Sequence, residues 1–187
     1  TIVDEIAEYA FANMSRLKSL TFAENSQLRT IKDFAFADSS NIEVLRLPAQ
    51  LGTIGISAFS TIEKPSMGFR EITLPHGLNT IGESAFENNS VLMAISIPAS
   101  VNEIGDRAFY GNSQMSLSFV TANSVLQKIG AYAFYKCYNI KLLSLPTSLL
   151  EIGDYAFSNA DGAAINMQLT SVTIESDQQG SRHLTTI

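Results

Sequence analysis

The sequence predicts an α/β repeat solenoid. The chain should run as a right-handed coil of about seven stacked units, with a parallel β-sheet on the concave face and short helical turns on the convex side. Three observations predict this. The dipeptide Ala-Phe recurs seven times, ending at Phe11, Phe36, Phe59, Phe86, Phe109, Phe134 and Phe157. An isoleucine stands five residues before each Phe, and these isoleucines follow one another at spacings of 25, 23, 27, 23, 25 and 23 residues. A second apolar set follows the Phe and is closed by proline in four units, at Pro48, Pro75, Pro98 and Pro146. Self-similarity at a period of roughly 20–50 residues marks a stacked-repeat architecture.

One unit reads L-x-x-I-G-x-x-A-F, about six further residues, then L-x-x-I-x-L-P. Its first aliphatic is Val3, Leu28, Leu51, Leu78, Val101, Leu126 or Leu149. The I-x-L segment alternates with period two and is rich in branched residues, so it is a short strand. The proline that follows has no N–H and ends strand pairing. The segment G-x-x-A-F-x-x-x spaces its apolar residues at three to five, which suits one or two helical turns. Alanine beside Phe lets coils approach, and Phe fills the interior. A unit of about 24 residues cannot bury its own apolar face, whereas stacked units can. Successive strands should pair in parallel at about 4.8 Å, giving a sheet about 30 Å along the stack. Parallel crossovers are right-handed.

Two units depart from the pattern. The 27-residue unit carries extra residues around Pro65, and a second irregular stretch covers 158–183. In unit five, SLSF at 116–119 aligns with SLTF at 19–22 only with a one-residue shift, so its register is open.

These residues resemble the BspA-like class of leucine-rich repeats, whose unit is L-x-x-I-x-L-P-x-x-L-x-x-I-G-x-x-A-F-x-x-C-x-x-L. Unit six, IGAYAFYKCYNIKLLSLPTSLLEIG at 129–153, is the nearest copy. Cys137 takes the family's cysteine position, held elsewhere by Met14, Ser39, Ile62, Asn89, Asn112 and Ala160. The resemblance covers essentially the whole chain. It implies a leucine-rich-repeat solenoid, an extracellular or cell-surface location, and adhesion to host matrix or to other cells.

Composition narrows the function classes. Of 187 residues, 45% are apolar and 16% charged, which fits a folded chain. The net charge of −6 argues against nucleic acid, which needs a basic face. No apolar run is long enough to span a membrane in this region. Cys137 is the sole cysteine, so no internal disulfide forms. Neither end carries a polar capping unit, and Leu184 and Ile187 repeat the opening spacing. The expectation is therefore a single repeat domain over 1–187, cut from a longer array.

Chemistry-bearing residues are sparse. His76 and His183 lie in different loops without ligand spacing, so no metal or other cofactor is expected. Cys137 sits at a core repeat position and reads as a buried small hydrophobe rather than a nucleophile. Asp106, Asp154 and Glu83 share one position, where an acid would start a helical turn. Asn13-Met-Ser and Asn88-Asn-Ser are glycosylation sequons of chance frequency. No enzyme is expected.

The informative surface is the strand. Between the inward aliphatics, one residue per coil points outward: Thr21, Arg46, Thr73, Ser96, Ser144 and Thr173, with Ser118 as a seventh. Two positions earlier stand Ser19, Val44, Glu71, Ala94, Leu142 and Ser171. The candidate binding set is Ser19, Thr21, Val44, Arg46, Glu71, Thr73, Ser96, Ser144, Ser171 and Thr173. It suits a shallow groove for a protein or glycan. It has no large aromatic anchor, so affinity should be modest or depend on many repeats. The alternative role is a structural spacer presenting another domain.

Overall fold

The computed structural model describes residues 2–39, 42–61, 68–159 and 169–174. Ile62, Ala160, His183, Leu184 and Ile187, and most of both irregular stretches, lie outside the described residues. The repeat produces a parallel β-solenoid. Among the described residues there are thirteen short strands: β1 Glu5–Ile6, β2 Thr30–Ile31, β3 Val44–Arg46, β4 Thr53–Ile54, β5 Glu71–Thr73, β6 Thr80–Ile81, β7 Ala94–Ile97, β8 Glu103–Ile104, β9 Ser116–Phe119, β10 Lys128–Ile129, β11 Leu142–Leu145, β12 Glu151–Ile152 and β13 Ser171–Ile174. Every pairing between them is parallel.

The longest ladder is not the one expected from the I-x-L segments. It joins the two residues that precede each Gly position, in the order β1-β2-β4-β6-β8-β10-β12. Each rung puts the repeat isoleucine inside, and Ile31, Ile54, Ile81, Ile104 and Ile129 are wholly buried. The x-I alternation before Gly was the available signal, but two residues are too few to read as a strand. The outward column of this ladder is Glu5, Thr30, Thr53, Thr80, Glu103, Lys128 and Glu151. Lys128 lies 4.0 Å from Glu103 and 3.8 Å from Glu151. Half-exposed pairs of this kind add little stability.

The I-x-L strands form two sheets rather than one: β3-β5-β7-β9 and β11-β13. The ladder is interrupted between SLTF at 19–22 and β3, and again between β9 and β11. Both interruptions follow the 25-residue units, which lack the closing proline and lengthen the path from strand to next aliphatic, Leu20 to Leu28 and Leu117 to Leu126. The extra residues free those strands from the register of the next coil. Unit five is now placed: Ile95 pairs with Leu117 and Ser96 with Ser118.

The expected helical turns are corrected. No helix occurs among the described residues. The segment after each Gly position is a chain of tight turns, because one residue per coil has positive φ: Tyr9, Phe34, Ser57, Ser84, Arg107, Tyr132 and Tyr155, at 50–56°. A right-handed helix cannot pass through that conformation. Instead, alternate N–H groups reach the next coil. Phe36 N–H donates to Ala58 O at 2.8 Å, Phe59 N–H to Ala85 O at 2.8 Å and Phe86 N–H to Ala108 O at 2.8 Å. The apolar spacing of three to five fitted both structures. Asn13, Asp38, Asn88, Gly111 and Lys136, two residues after the Phe, also have positive φ; Asn, Asp and Gly tolerate it, whereas the side-chain type of Lys136 does not account for it.

The glycine position serves close approach. A Cβ on Gly105 would lie 2.6 Å from Glu83 N, and one on Gly130 would lie 2.5 Å from Asp106 N. Asp106 does not start a helix. Its Oδ1 accepts from Ala131 N–H of the next coil at 2.8 Å, as Asp33 Oδ1 does from Ile56 N–H at 2.8 Å.

The phenylalanines form one column. Phe11, Phe36, Phe59, Phe86, Phe109, Phe134 and Phe157 stack face to face with centroids 5.1–5.4 Å apart. The five inner rings are 0–1% exposed. The paired alanines Ala35, Ala58, Ala85, Ala108 and Ala133 are also wholly buried.

Candidate recognition face

The cysteine position of the repeat is a polar ladder inside the core. The small side chains there donate to Phe carbonyls that the tight turns leave unpaired or, at Phe109 O, bond only through Asn112 N–H at 3.3 Å. Ser39 Oγ donates to Phe11 O at 2.6 Å. Asn89 Nδ2 donates to Phe59 O at 2.8 Å and Phe86 O at 3.0 Å. Asn112 Nδ2 donates to Phe86 O at 2.9 Å and Phe109 O at 2.7 Å. Cys137 Sγ–H donates to Phe109 O at 3.2 Å. The sequence reading of Cys137 as a small hydrophobe therefore missed its donor role. The signal was present, since Ser and Asn alternate with Cys there.

Burial pushes the Cys137 thiol well above its ordinary value of 9.0. The folded state thus keeps a proton that the unfolded thiol releases at alkaline pH. The stability this gives is complete below about pH 9 and declines above it, by up to about 1.4 kcal/mol per pH unit. The stability advantage of the wild type over Cys137→Ala should shrink above pH 9 in parallel urea titrations. Thiol reagents should label Cys137 only as the chain unfolds. Labelling at the rate of a free thiol in native buffer would contradict this placement.

His76 is exposed on its loop. Among the described residues no group of three His, Cys, Asp or Glu side chains is placed to hold a metal. No described helix is long and apolar enough to cross a membrane.

All ten candidate binding residues are exposed. The register sets them in two outward columns. One runs through Val44, Glu71, Ala94 and Ser116, and the other through Arg46, Thr73, Ser96 and Ser118. Ser144 and Thr173 stand opposite each other on the second sheet, as do Leu142 and Ser171. Ser116, absent from the sequence-based set, takes a place in the first column because its register needed the structure. Arg46 reaches Glu71 at 3.6 Å, with both side chains more than half exposed. Ser19 and Thr21 precede the first hydrogen-bonded strand of this face, and with Val44 and Arg46 they border a cleft of about 810 Å³. Among the described residues, Lys18, Leu20, Phe22 and Glu43 also line it. The face therefore divides into a shallow hydroxyl-rich ladder and a deeper, charged cleft at its first coil.

The model of the BspA type leucine-rich repeat region matches six copies, over residues 1–116 and 65–179. The chain belongs to the BspA type leucine-rich repeat family. This leucine-rich repeat chain is similar in fold to a leucine-rich repeat protein from Bacteroides ovatus, with a TM-score of 0.69 and 22% identity over 98% of this chain and 49% of that one. It is similar to a T. pallidum leucine-rich repeat protein at TM-score 0.62 and 22% identity, covering 79% of this chain and 75% of the other. It is also similar to the pneumococcal vaccine antigen PcpA at TM-score 0.56 and 24% identity, over 91% of this chain and 46% of that one. The chain thus spans about half the length of the Bacteroides and pneumococcal proteins. No match among curated proteins was found. The family and fold are generally non-catalytic.

Proposed function

We propose that the chain is a non-enzymatic recognition module, which binds a protein or glycan through the outward columns of its I-x-L strands. It would act as part of a secreted or surface-displayed protein, with host matrix or another cell surface as partner. The observation that carries this reading is the two-column face itself. Val44, Arg46, Glu71, Thr73 and Ser96 are held in register by the core beneath them, yet their side chains do no packing there. A rigid ladder of exposed groups loses little entropy on binding. Its small side chains and lack of Trp or Tyr suit a shallow, multi-point contact. The likeness to a pneumococcal vaccine antigen favours an exposed setting, although that description applies to that protein alone.

The test is a doubly substituted variant, Arg46→Glu with Thr73→Arg. Both positions are exposed, so stability should stay within about 0.5 kcal/mol of wild type. Capture on immobilised matrix proteins and on a glycan array should fall at least about tenfold against the wild type. Equal capture by both proteins, or none by either, would favour the spacer role instead.

A further inference from the structure

The cleft at the first coil borders an open strand edge. In two later coils the first residue of the I-x-L strand donates its N–H backwards, Glu71 N–H to Glu43 O at 3.2 Å and Ser116 N–H to Met93 O at 3.0 Å, and before β7 and β13 the preceding residue does so, Met93 N–H to Arg70 O at 3.2 Å and Thr170 N–H to Lys141 O at 2.9 Å. Val44 holds the same register position as Glu71 and Ser116. No backbone hydrogen bond joins it to Lys18, nor any residue of 18–22 to β3. Successive residues of a parallel strand direct their peptide groups to opposite neighbours. Leu47 N–H turns to Thr73 O of β5, so the groups of Val44 and Arg46 face the first coil. The first two coils are nevertheless joined elsewhere, by the pairing of β1 with β2 and by the stacking of Phe11 on Phe36 at 5.1 Å. They therefore diverge only on this side, where the cleft opens. The interruption between β9 and β11 differs, because those strands still lie side by side.

We propose that this edge takes up an extended peptide segment of a partner protein, as an added strand on β3. Unpaired peptide groups at strand spacing are the template for strand addition. They match a polypeptide backbone, whereas a glycan offers no equivalent repeat of N–H and C=O. Of the cations at the rim, Arg46 already pairs with Glu71 at 3.6 Å, so Lys18 is the group that favours a segment carrying an acidic side chain. This proposal rests on the recognition reading above and gives that face a ligand class.

The test is amide hydrogen exchange on the isotope-labelled chain, read by NMR. The probe is an acetylated, amidated hexapeptide of sequence Glu-Val-Thr-Val-Thr-Val at about millimolar concentration. Its control is the same peptide N-methylated at alternate residues. In the free chain, the Val44 and Arg46 amides should exchange at least about tenfold faster than Leu45, which faces β5. The peptide should slow them at least about tenfold, and the N-methylated control should not. Slow exchange of Val44 and Arg46 in the free chain would overturn the proposal. So would equal protection by both peptides, or by neither. If the Arg46→Glu, Thr73→Arg variant loses capture while these amides stay unprotected, the recognition face stands and the strand-addition site falls.

Discussion

Phe109→Ala is expected to cost about 3–5 kcal/mol of stability. The ring is wholly buried and stacks on both Phe86 and Phe134 at 5.3 Å. Truncation leaves a void bounded by two rings held at coil spacing by backbone hydrogen bonds, so the site cannot collapse to fill it. The stability of a repeat array is a sum of unit and neighbour-interface terms. Phe109 contributes to two interfaces, whereas Phe11, 43% exposed at the first coil, stacks only on Phe36. Phe11→Ala should therefore cost less than half as much. Urea unfolding followed by circular dichroism measures both. A loss below about 1.5 kcal/mol for Phe109→Ala would show that the column is not a principal source of stability.

Asn89→Leu should be nearly as damaging, at about 3–4 kcal/mol. Leucine keeps the branched shape but puts two methyl groups in place of the amide oxygen and nitrogen, so lost polarity and some overpacking act together. Asn89 is wholly buried, donates to Phe59 O and Phe86 O, and accepts from Phe69 N–H at 3.3 Å. The substitution orphans Phe59 O and Phe69 N–H, while Phe86 O keeps only its bond from Asn112 Nδ2 at 2.9 Å. An unpaired buried polar group costs about 1–3 kcal/mol, and partial relaxation reduces the sum. By contrast, Asn112→Cys should cost about 1 kcal/mol, since Cys137 already bonds the equivalent Phe109 carbonyl. Parallel urea titrations of the two variants check the contrast. Equal losses would mean that volume, rather than hydrogen bonding, governs this position.

Much of the architecture was legible because stacking repeats one small problem at every coil. The inward Leu, Ile, Ala and Phe positions follow from their spacing alone, since only a solenoid buries them all. The outward strand residues follow from period-two alternation once the inward ones are known. The turn segment was misread because three-to-five spacing suits a helix and a run of tight turns equally. What separates them is the φ of residues such as Tyr132 and Arg107, to which side-chain type gives little clue. The donor role of the Asn and Cys ladder was hidden for a related reason. It depends on carbonyls that those turns leave unpaired or weakly paired, which a helix would have paired internally.

EIGDRAF and EIGDYAF, heptads at 103–109 and 151–157 that differ at one residue, summarise the division. Residue order alone makes them repeat units with Ile, Ala and Phe in the core, because a period of about 24 residues leaves those side chains one place to go. It also marks the variable strand residues as the outer face. Tertiary structure decided the rest. It turned Asp106 into a bond to the next coil, made the residues before each Gly position the longest ladder, and broke the I-x-L sheet after both 25-residue units. Those outcomes depend on distances between neighbouring coils. A small change in loop length alters which backbone groups meet, while leaving the repeat pattern of the side chains intact.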